Sequence, residues 1–125
     1  MPTKAPWCSV TATVEVIGGR WKPTILFHLK DRPRRFNELR RLVPGITQRM
    51  LTLQLRALER DGIVSRKVHQ RVPPHVEYAF TRKGLTLGPI LDAMEAWGNA
   101  NRRSLGAADR TLGETTVGRL QKPRS

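Results

Sequence analysis

The sequence predicts a mainly α-helical domain that carries one small β-hairpin, an α+β fold class. Apolar residues recur at helical spacing along five segments between residues 9 and 103. Between residues 63 and 80 the pattern changes to an alternation of two, which is typical of strands. The chain of 125 residues is long enough for one domain with a single modest core.

The first two predicted helices are short. Valine and isoleucine recur every three or four residues over 9–17, and the glycine pair at 18–19 ends this helix. A second helix is predicted from Trp21 or Lys22 to Lys30, because a proline is tolerated in the first turn of a helix. Together these segments account for most of the first quarter of the chain.

A third helix follows a predicted turn at 31–33, and Asn37 is its expected N-cap. Its apolar positions are Phe36, Leu39, Leu42 and Val43. Pro44 and Gly45 break the pattern, so this helix is expected to end in a tight turn before the next one.

The fourth helix lies in the stretch GITQRMLTLQLRALERDGI, residues 45–63. Thr47 is its expected N-cap, and residues 61–62 are its expected end. Leucines at 51, 55 and 58 mark the side that faces the core. The opposite side carries Arg49, Leu53, Arg56 and Arg60.

A long hairpin is predicted after Gly62, with strands over 63–69 and 76–80 and a tip at 72–75. Its basic and polar residues, expected near the tip, are Arg66, Lys67, His69 and Arg71.

Thr81 is the expected cap of a last helix over 82–103, which Pro89 either kinks or offsets at its start. Its apolar stripe comprises Leu87, Ile90, Leu91, Met94 and Trp97. Residues 1–7 are predicted to be a flexible leader, and residues 104–125 a mobile basic tail. The domain itself is expected to span residues 8–103.

Two helices joined by a tight turn and followed by a hairpin form the layout of a winged helix-turn-helix. The charge supports this interpretation. The chain carries 23 Lys and Arg against 10 Asp and Glu, a net charge of +13. Residues 32–71 alone hold eleven of the cations and three of the anions. A concentrated positive charge favours a polyanionic partner, with nucleic acid as the first candidate.

Other classes find little support in the sequence. No apolar run approaches the length of a membrane span, and the N-terminus lacks a secretory h-region. His28, His69 and His75 show no metal-ligand spacing, and there is no glycine-rich phosphate loop. The single cysteine excludes an intrachain disulfide. We therefore expect a cytoplasmic, nucleoid-associated protein that is not an enzyme and needs no cofactor and no metal.

Three blocks of sequence resemble the HxlR-type transcriptional regulators, relatives of the MarR-type winged-helix proteins. The blocks are VIGGRWKPTILFHL (16–29), RRFNELRRLVPGITQRMLTLQLRALERDGIV (34–64) and VPPHVEYAFTRKGLTLGPILDAMEAWG (72–98). The resemblance implies a bacterial homodimer that binds DNA, usually as a repressor, with helix 47–60 in the major groove. It also implies that the hairpin is the wing and that the terminal helices form the dimer interface.

The DNA-contacting residues follow from this placement. We expect base contacts from Thr47, Gln48, Arg49, Thr52 and Leu53. We expect backbone contacts from Arg34, Arg35, Arg40, Arg41, Arg56 and Arg60. The wing residues Arg66, Lys67, His69 and Arg71 could enter a minor groove. The alternative is a set of solvated charged faces, or a basic module that binds nucleic acid without sequence preference.

Two further expectations concern Cys8 and the terminal helices. Cys8 is a buried or interface thiol, a redox sensor, or one half of an interchain disulfide. The terminal helices carry more apolar surface than a thin core can cover. Their expected dimer contacts are Val10, Val14, Leu91, Met94 and Trp97. The expected partner is a pseudo-palindromic double-stranded operator, and no effector is predicted.

Overall fold

The computed structural model describes residues 8–107, with side chains up to residue 105. The elements are α1 (Ser9–Ile17), α2 (Lys22–Leu29), β1 (Arg34–Arg35), α3 (Phe36–Leu42), α4 (Gln48–Arg60), β2 (Val64–His69), β3 (His75–Phe80), α5 (Arg82–Leu85), α6 (Gly88–Arg102) and a π-helical segment, Arg103–Ala107. The predicted fold class is confirmed. The predicted leader, and the predicted tail beyond residue 107, lie outside the described residues.

The contacts divide the chain into two compact units, with the boundary between Leu91 and Asp92. The first unit contains all elements from α1 to α5 and the start of α6. Among the described residues, the second contains the rest of α6 and the π-helical segment. None of the described helices combines the length and apolar character that a membrane span requires.

The strands form a three-stranded antiparallel sheet in the order β1-β3-β2. Tyr78 of the central strand pairs with Arg34 on one side and with Arg66 on the other. Glu77 pairs with Arg35 and Lys67. Because paired residues share a face and neighbours alternate, buried Tyr78 marks the inner face of the sheet and Glu77 its outer face.

The core belongs to the first unit and is apolar. Two residues of α2 and three leucines of α4 are at most 1% exposed, and they are Ile25, Leu26, Leu51, Leu55 and Leu58. Leu39 of α3 and Val64 of β2 complete the layer between the helices and the sheet. The helical spacing of these residues puts them on one side of each helix, and burying that side provides the main driving force for folding.

Both ends of α4 are defined by local hydrogen bonds. The Thr47 hydroxyl accepts a hydrogen bond from the backbone N–H of Met50 at 3.0 Å, which confirms the expected N-cap. At the other end Gly62 has φ 76°, and the N–H of Ile63 reaches the Leu58 carbonyl oxygen at 3.0 Å. This Schellman arrangement ends the helix where the sequence predicts.

The expected cap of α3 is wrong. Asn37 lies inside the helix, and Arg35 occupies the N-cap position. The Glu38 carboxylate accepts a hydrogen bond from the Arg35 backbone N–H at 3.1 Å and so satisfies the first free donor of the helix.

The prediction of one continuous last helix over 82–103 is also wrong. Thr81 caps α5, since its hydroxyl accepts from the Gly84 N–H at 3.0 Å, but α5 ends at Leu85. A new helix, α6, begins at Gly88. Pro89 has no N–H to continue the hydrogen bonding of α5 and is tolerated in the first turn of α6, so it offsets the start of the helix.

Candidate nucleic-acid interface

The outer face of α4 has the orientation that the sequence predicts. Arg49, Leu53, Arg56 and Arg60 are all exposed, and Leu53 keeps 48% of its surface accessible. Gln48 is exposed at the first position of the helix, and Thr52 is half-buried one turn later. A surface depression brings together Gln48, Arg49, Thr52, Leu53 and Arg56.

The cations on this face, Arg49, Arg56 and Arg60, have no ion-pair partner among residues 8–105. The Thr52 hydroxyl donates to the Gln48 carbonyl oxygen at 2.9 Å, which leaves its oxygen lone pairs as acceptors. An exposed helix with free guanidinium groups can bind anions and base edges, because a helix fits the major groove of B-DNA.

The two arginines of β1 lie on opposite faces of the sheet. Arg34 shares the inner face with Tyr78, and its side chain is 15% exposed. Its Nε donates to the His28 carbonyl oxygen at 2.8 Å, and its Nη1 lies 3.5 Å from the Glu38 carboxylate. Arg34, expected at the DNA backbone, is thus directed into the protein, whereas Arg35, Arg40 and Arg41 are exposed.

Glu38 collects several of these interactions. It accepts a hydrogen bond from Arg32 in addition to the contacts with Arg34 and the Arg35 backbone. The Arg32 hydrogen bond, followed by the Arg35 N–H, lowers the pKa of the Glu38 carboxyl below its usual value. The carboxylate thereby holds the start of α3 against the loop that precedes it.

The wing differs from the prediction in where its basic residues lie. Arg66 and Lys67 are exposed but sit in the middle of β2, opposite Tyr78 and Glu77, rather than near the tip. Of the four expected wing residues only Arg71 lies in the tip itself. The reason is that the strands extend to His69 and His75, which leaves residues 70–74 as the connection.

The guanidinium of Arg66 lies 3.6 Å from the Glu59 carboxylate, which links the wing to α4. Burial, with the negative charge of Glu59 as the next cause, raises the pKa of the neighbouring Tyr78 phenol. The base of the wing is therefore tied to the end of the helix that carries the exposed arginines.

His69 and His75 form the last pair of the β2–β3 ladder, and Glu77 follows on the same face. The two imidazole rings stack with centroids 4.6 Å apart, and His69 Nε2 lies 3.0 Å from Glu77 Oε1. The sequence spacing of the histidines did not indicate this grouping of His69, His75 and Glu77. The sequence predictions did not include Glu77. A hairpin centred on residue 72 pairs His69 with His75, so the strand register was the signal that could have brought these side chains together.

Cys8 lies at the N-cap of α1 and is half-buried. The pKa of its thiol lies below the usual value, because the Thr11 backbone N–H, the Thr11 hydroxyl and then the Val10 N–H stabilise the thiolate. A lowered pKa leaves a larger fraction of the thiol as thiolate, which is the form that reacts with electrophiles.

Four of the five expected dimer contacts expose apolar surface. Val10 and Val14 on α1 are 71% and 56% exposed, and Met94 and Trp97 on α6 are 43% and 60% exposed. Leu91 is 3% exposed and packs into the core of the first unit, so its side chain has no free surface for a partner. Leu91 lies in the first turn of α6, and this turn still packs on the first unit.

Similarity to known proteins extends over most of the described residues. The sequence profile of the family described as HxlR-like helix-turn-helix matches residues 16–105. The HTH-type transcriptional regulator YybR of Bacillus subtilis is 57% identical over 95 residues, which cover 76% of each chain. A second HTH-type regulator of that organism, YdeP, is 56% identical over 91 residues, 73% of this chain and 71% of the relative.

Solved structures agree with these matches. The reduced form of the redox regulator HypR superposes with a TM-score of 0.75 at 54% identity, covering 80% of this chain and 99% of the other. A MarR-family regulator from Porphyromonas gingivalis gives a TM-score of 0.73 at 33% identity, covering 81% and 99%. The wing and the helix pair α3–α4 thus have the arrangement of a winged helix-turn-helix, and the chain belongs to the HxlR-like helix-turn-helix family of transcriptional regulators.

Proposed function

We propose that this protein regulates transcription by sequence-specific binding of double-stranded DNA, with α4 in the major groove. The observation that carries the proposal is the outer face of α4, where three arginines without an ion pair among the described residues surround a half-exposed leucine. A leucine exposed to water is unfavourable, but in the major groove it can contact a thymine methyl group.

The side chains on the outer face of α4 would have different roles according to their position along the helix. Gln48 and Arg49 lie in the first turn, from which a recognition helix contacts base edges, and their side chains can bond adenine and guanine respectively. The Thr47 hydroxyl accepts from the Met50 N–H and can donate its own proton to DNA, whereas the Thr52 hydroxyl donates to Gln48 and can accept. Arg56 and Arg60 lie about two and three turns beyond Arg49, where phosphate contacts add affinity without sequence information. Arg35, Arg40 and Arg41 would contact the backbone from the other helix of the motif.

The wing would follow the flanking backbone or minor groove through Lys67 and Arg71, which are exposed. Arg34 is better described as a positioning residue, because its guanidinium is committed to His28 and Glu38. It holds β1 so that Arg35 faces solvent.

The experiment compares Arg49→Ala with Arg41→Ala on the operator and on random DNA. Arg49→Ala should cost about 1–3 kcal/mol of binding free energy and relax preference at one base position. Arg41→Ala should weaken binding to all sequences alike and reduce the salt slope by about 1. Equal losses on both DNAs for Arg49→Ala would favour the alternative, a basic module that binds nucleic acid without sequence preference.

We further propose that the regulator is a homodimer on a pseudo-palindromic site, with half-site centres roughly 34 Å apart. The exposed apolar residues of α1 and α6 support this, because single chains rarely leave Val10, Val14, Met94 and Trp97 in water together. Sedimentation at micromolar concentration tests it, and a monomer there would overturn it. Bound near a promoter in the bacterial nucleoid, such a dimer would act as a repressor. A reporter gene fused to that promoter should therefore be expressed more strongly when the regulator is deleted.

Oxidation of Cys8 is a second candidate function. The half-buried thiol with a lowered pKa supports it, and one similar structure is named a redox regulator. Treatment with hydrogen peroxide should change the operator affinity of the wild type, and dithiothreitol should restore it. Cys8→Ser should bind the operator normally and show no response. A response that persists in Cys8→Ser would refute the role of this thiol.

A further inference from the structure

The wing carries a cluster of three side chains, of which only His69 is among the expected DNA contacts. Antiparallel pairing sets His69 opposite His75, and Glu77 follows two residues later on the same outer face of the sheet. One nitrogen of each imidazole and one carboxylate oxygen lie within 4.8 Å of one another. All three residues are partly buried, so their side chains have restricted freedom.

Two nitrogens and one carboxylate oxygen form a common ligand set for Zn²⁺. Metal–ligand bonds of about 2.0–2.1 Å in a tetrahedral site place the ligand atoms roughly 3.3 Å apart. His69 Nε2 and Glu77 Oε1 are already 3.0 Å apart. The remaining separations are at most 4.8 Å, so side-chain rotation would have to shorten the longest of them by up to about 1.5 Å.

The orientation of His75 fits the same interpretation. Its Nδ1 lies 3.3 Å from the carbonyl oxygen of Pro73. An imidazole that donates from one nitrogen to a backbone carbonyl presents the lone pair of the other nitrogen, which is how metal-bound histidines are usually held. The stacked ring of His69, 4.6 Å away between centroids, supports the position of His75 from the opposite strand.

We propose that the wing binds one divalent transition-metal ion of the zinc type through His69, His75 and Glu77, with water in the fourth position. Imidazole ligands favour such ions over Mg²⁺ and Ca²⁺, which prefer oxygen. The ion would join β2 to β3 where the ladder ends, so it would restrict the movement of residues 70–74.

Lys67 opposes the ion and limits its affinity. It pairs with Glu77 and therefore shares the outer face with the three ligands. Its positive charge competes for the carboxylate and repels a bound cation. Replacing Lys67 with Gln should therefore tighten metal binding, whereas a site elsewhere in the protein would not respond.

The test titrates ZnCl₂ into the untagged full-length chain by calorimetry at pH 7.5, in the Cys8→Ser background because a thiolate also binds zinc. CoCl₂ titrated in parallel gives an absorption spectrum that reports the coordination geometry. We expect one ion per chain. His75→Gln and Glu77→Gln should each weaken binding at least tenfold, and Lys67→Gln should strengthen it.

The matched control is Glu59→Gln, which removes another ion-paired carboxylate next to the sheet and should leave zinc affinity unchanged. Circular dichroism checks that every variant is folded. The proposal is overturned if zinc does not bind at 1 mM, if binding survives His75→Gln and Glu77→Gln, or if one ion joins two chains.

Metal binding on the wing also has a consequence for DNA, which rests on the proposed function. Added positive charge and a stiffer tip should raise the affinity for DNA in Zn²⁺ relative to EDTA, and His75→Gln should remove the difference. If zinc binds but the affinity for DNA does not change, the metal site is supported and a contact between the wing and DNA is contradicted. No DNA binding at all would count against the proposed function alone.

Discussion

A Cβ atom at Gly84 would lie 2.1 Å from the carbonyl oxygen of Ile63. The same carbonyl accepts hydrogen bonds from the Thr81 N–H at 3.0 Å and the Thr81 hydroxyl at 3.2 Å. The backbone of Ile63, which directly precedes β2, therefore packs against the backbone of α5. Only glycine allows this approach, although its φ angle is ordinary.

Gly84→Ala should therefore destabilise the protein by about 2–3 kcal/mol, since neither backbone segment can move without breaking these hydrogen bonds. Urea unfolding measures the change. Gly88→Ala is the control, because a Cβ there meets nothing within 4 Å. It should stay within about 0.5 kcal/mol of the wild type. Equal stability of the Gly84 variant would show that the two segments can separate at little cost.

Leu53→Ser should lower operator affinity about four- to fifteenfold, which corresponds to the loss of one or two buried methylene groups. The effect should be confined to one A·T pair, while stability changes by less than about 0.5 kcal/mol because Leu53 is exposed. Binding to a set of single-base operator variants locates the position. Leu55→Ser, at 1% exposure, should instead unfold the domain. An unfolded Leu53→Ser would mean that this face is not free.

Consecutive arginines should behave differently when each is replaced by alanine. Arg34→Ala should cost about 1.5–3 kcal/mol of stability, because it removes charged hydrogen bonds to His28 and Glu38. Arg35→Ala should leave stability nearly unchanged, since its side chain is exposed, and should weaken DNA binding. Thermal unfolding and DNA titration of both variants separate the effects. Identical stabilities would contradict the inward position of Arg34.

Stability should fall in acid partly through Glu38. Its pKa is lowered in the folded state by the Arg32 hydrogen bond and the Arg35 N–H, so the folded protein binds the proton less readily than the unfolded chain. The contribution is present above the unfolded value of about 4.3 and is lost as the pH falls through the lower folded value. At pH 7, Glu38→Gln should cost about 0.5–1 kcal/mol.

Urea unfolding at pH 7, 5 and 3.5 measures this dependence. The difference in unfolding free energy between wild type and Glu38→Gln should shrink toward pH 3.5. The reason is that the Glu38 carboxylate becomes protonated there and is then neutral, like the amide of the variant. A difference that grows in acid would reverse the assigned sign.

The sequence by itself determined helices α1 to α4, the hairpin and the exposed outer face of α4. Helical periodicity is a local property, and the leucines at 51, 55 and 58 leave only one side of α4 for Arg49 and Leu53. The caps at Thr47 and Gly62 are local as well, because their hydrogen bonds span a few residues. The concentration of positive charge between residues 32 and 71 needs no coordinates at all.

Tertiary structure alone decided which arginine of β1 faces inward and which side chains meet on the wing. A two-residue strand has no periodicity of its own, so Arg34 and Arg35 take their faces from pairing with Tyr78 and Glu77. The meeting of His69 with Glu77 likewise depends on strand register. Leu91 joined the core because α6 begins while the chain still packs on the domain. Each outcome depends on contacts between segments distant in sequence, which local residue patterns do not encode.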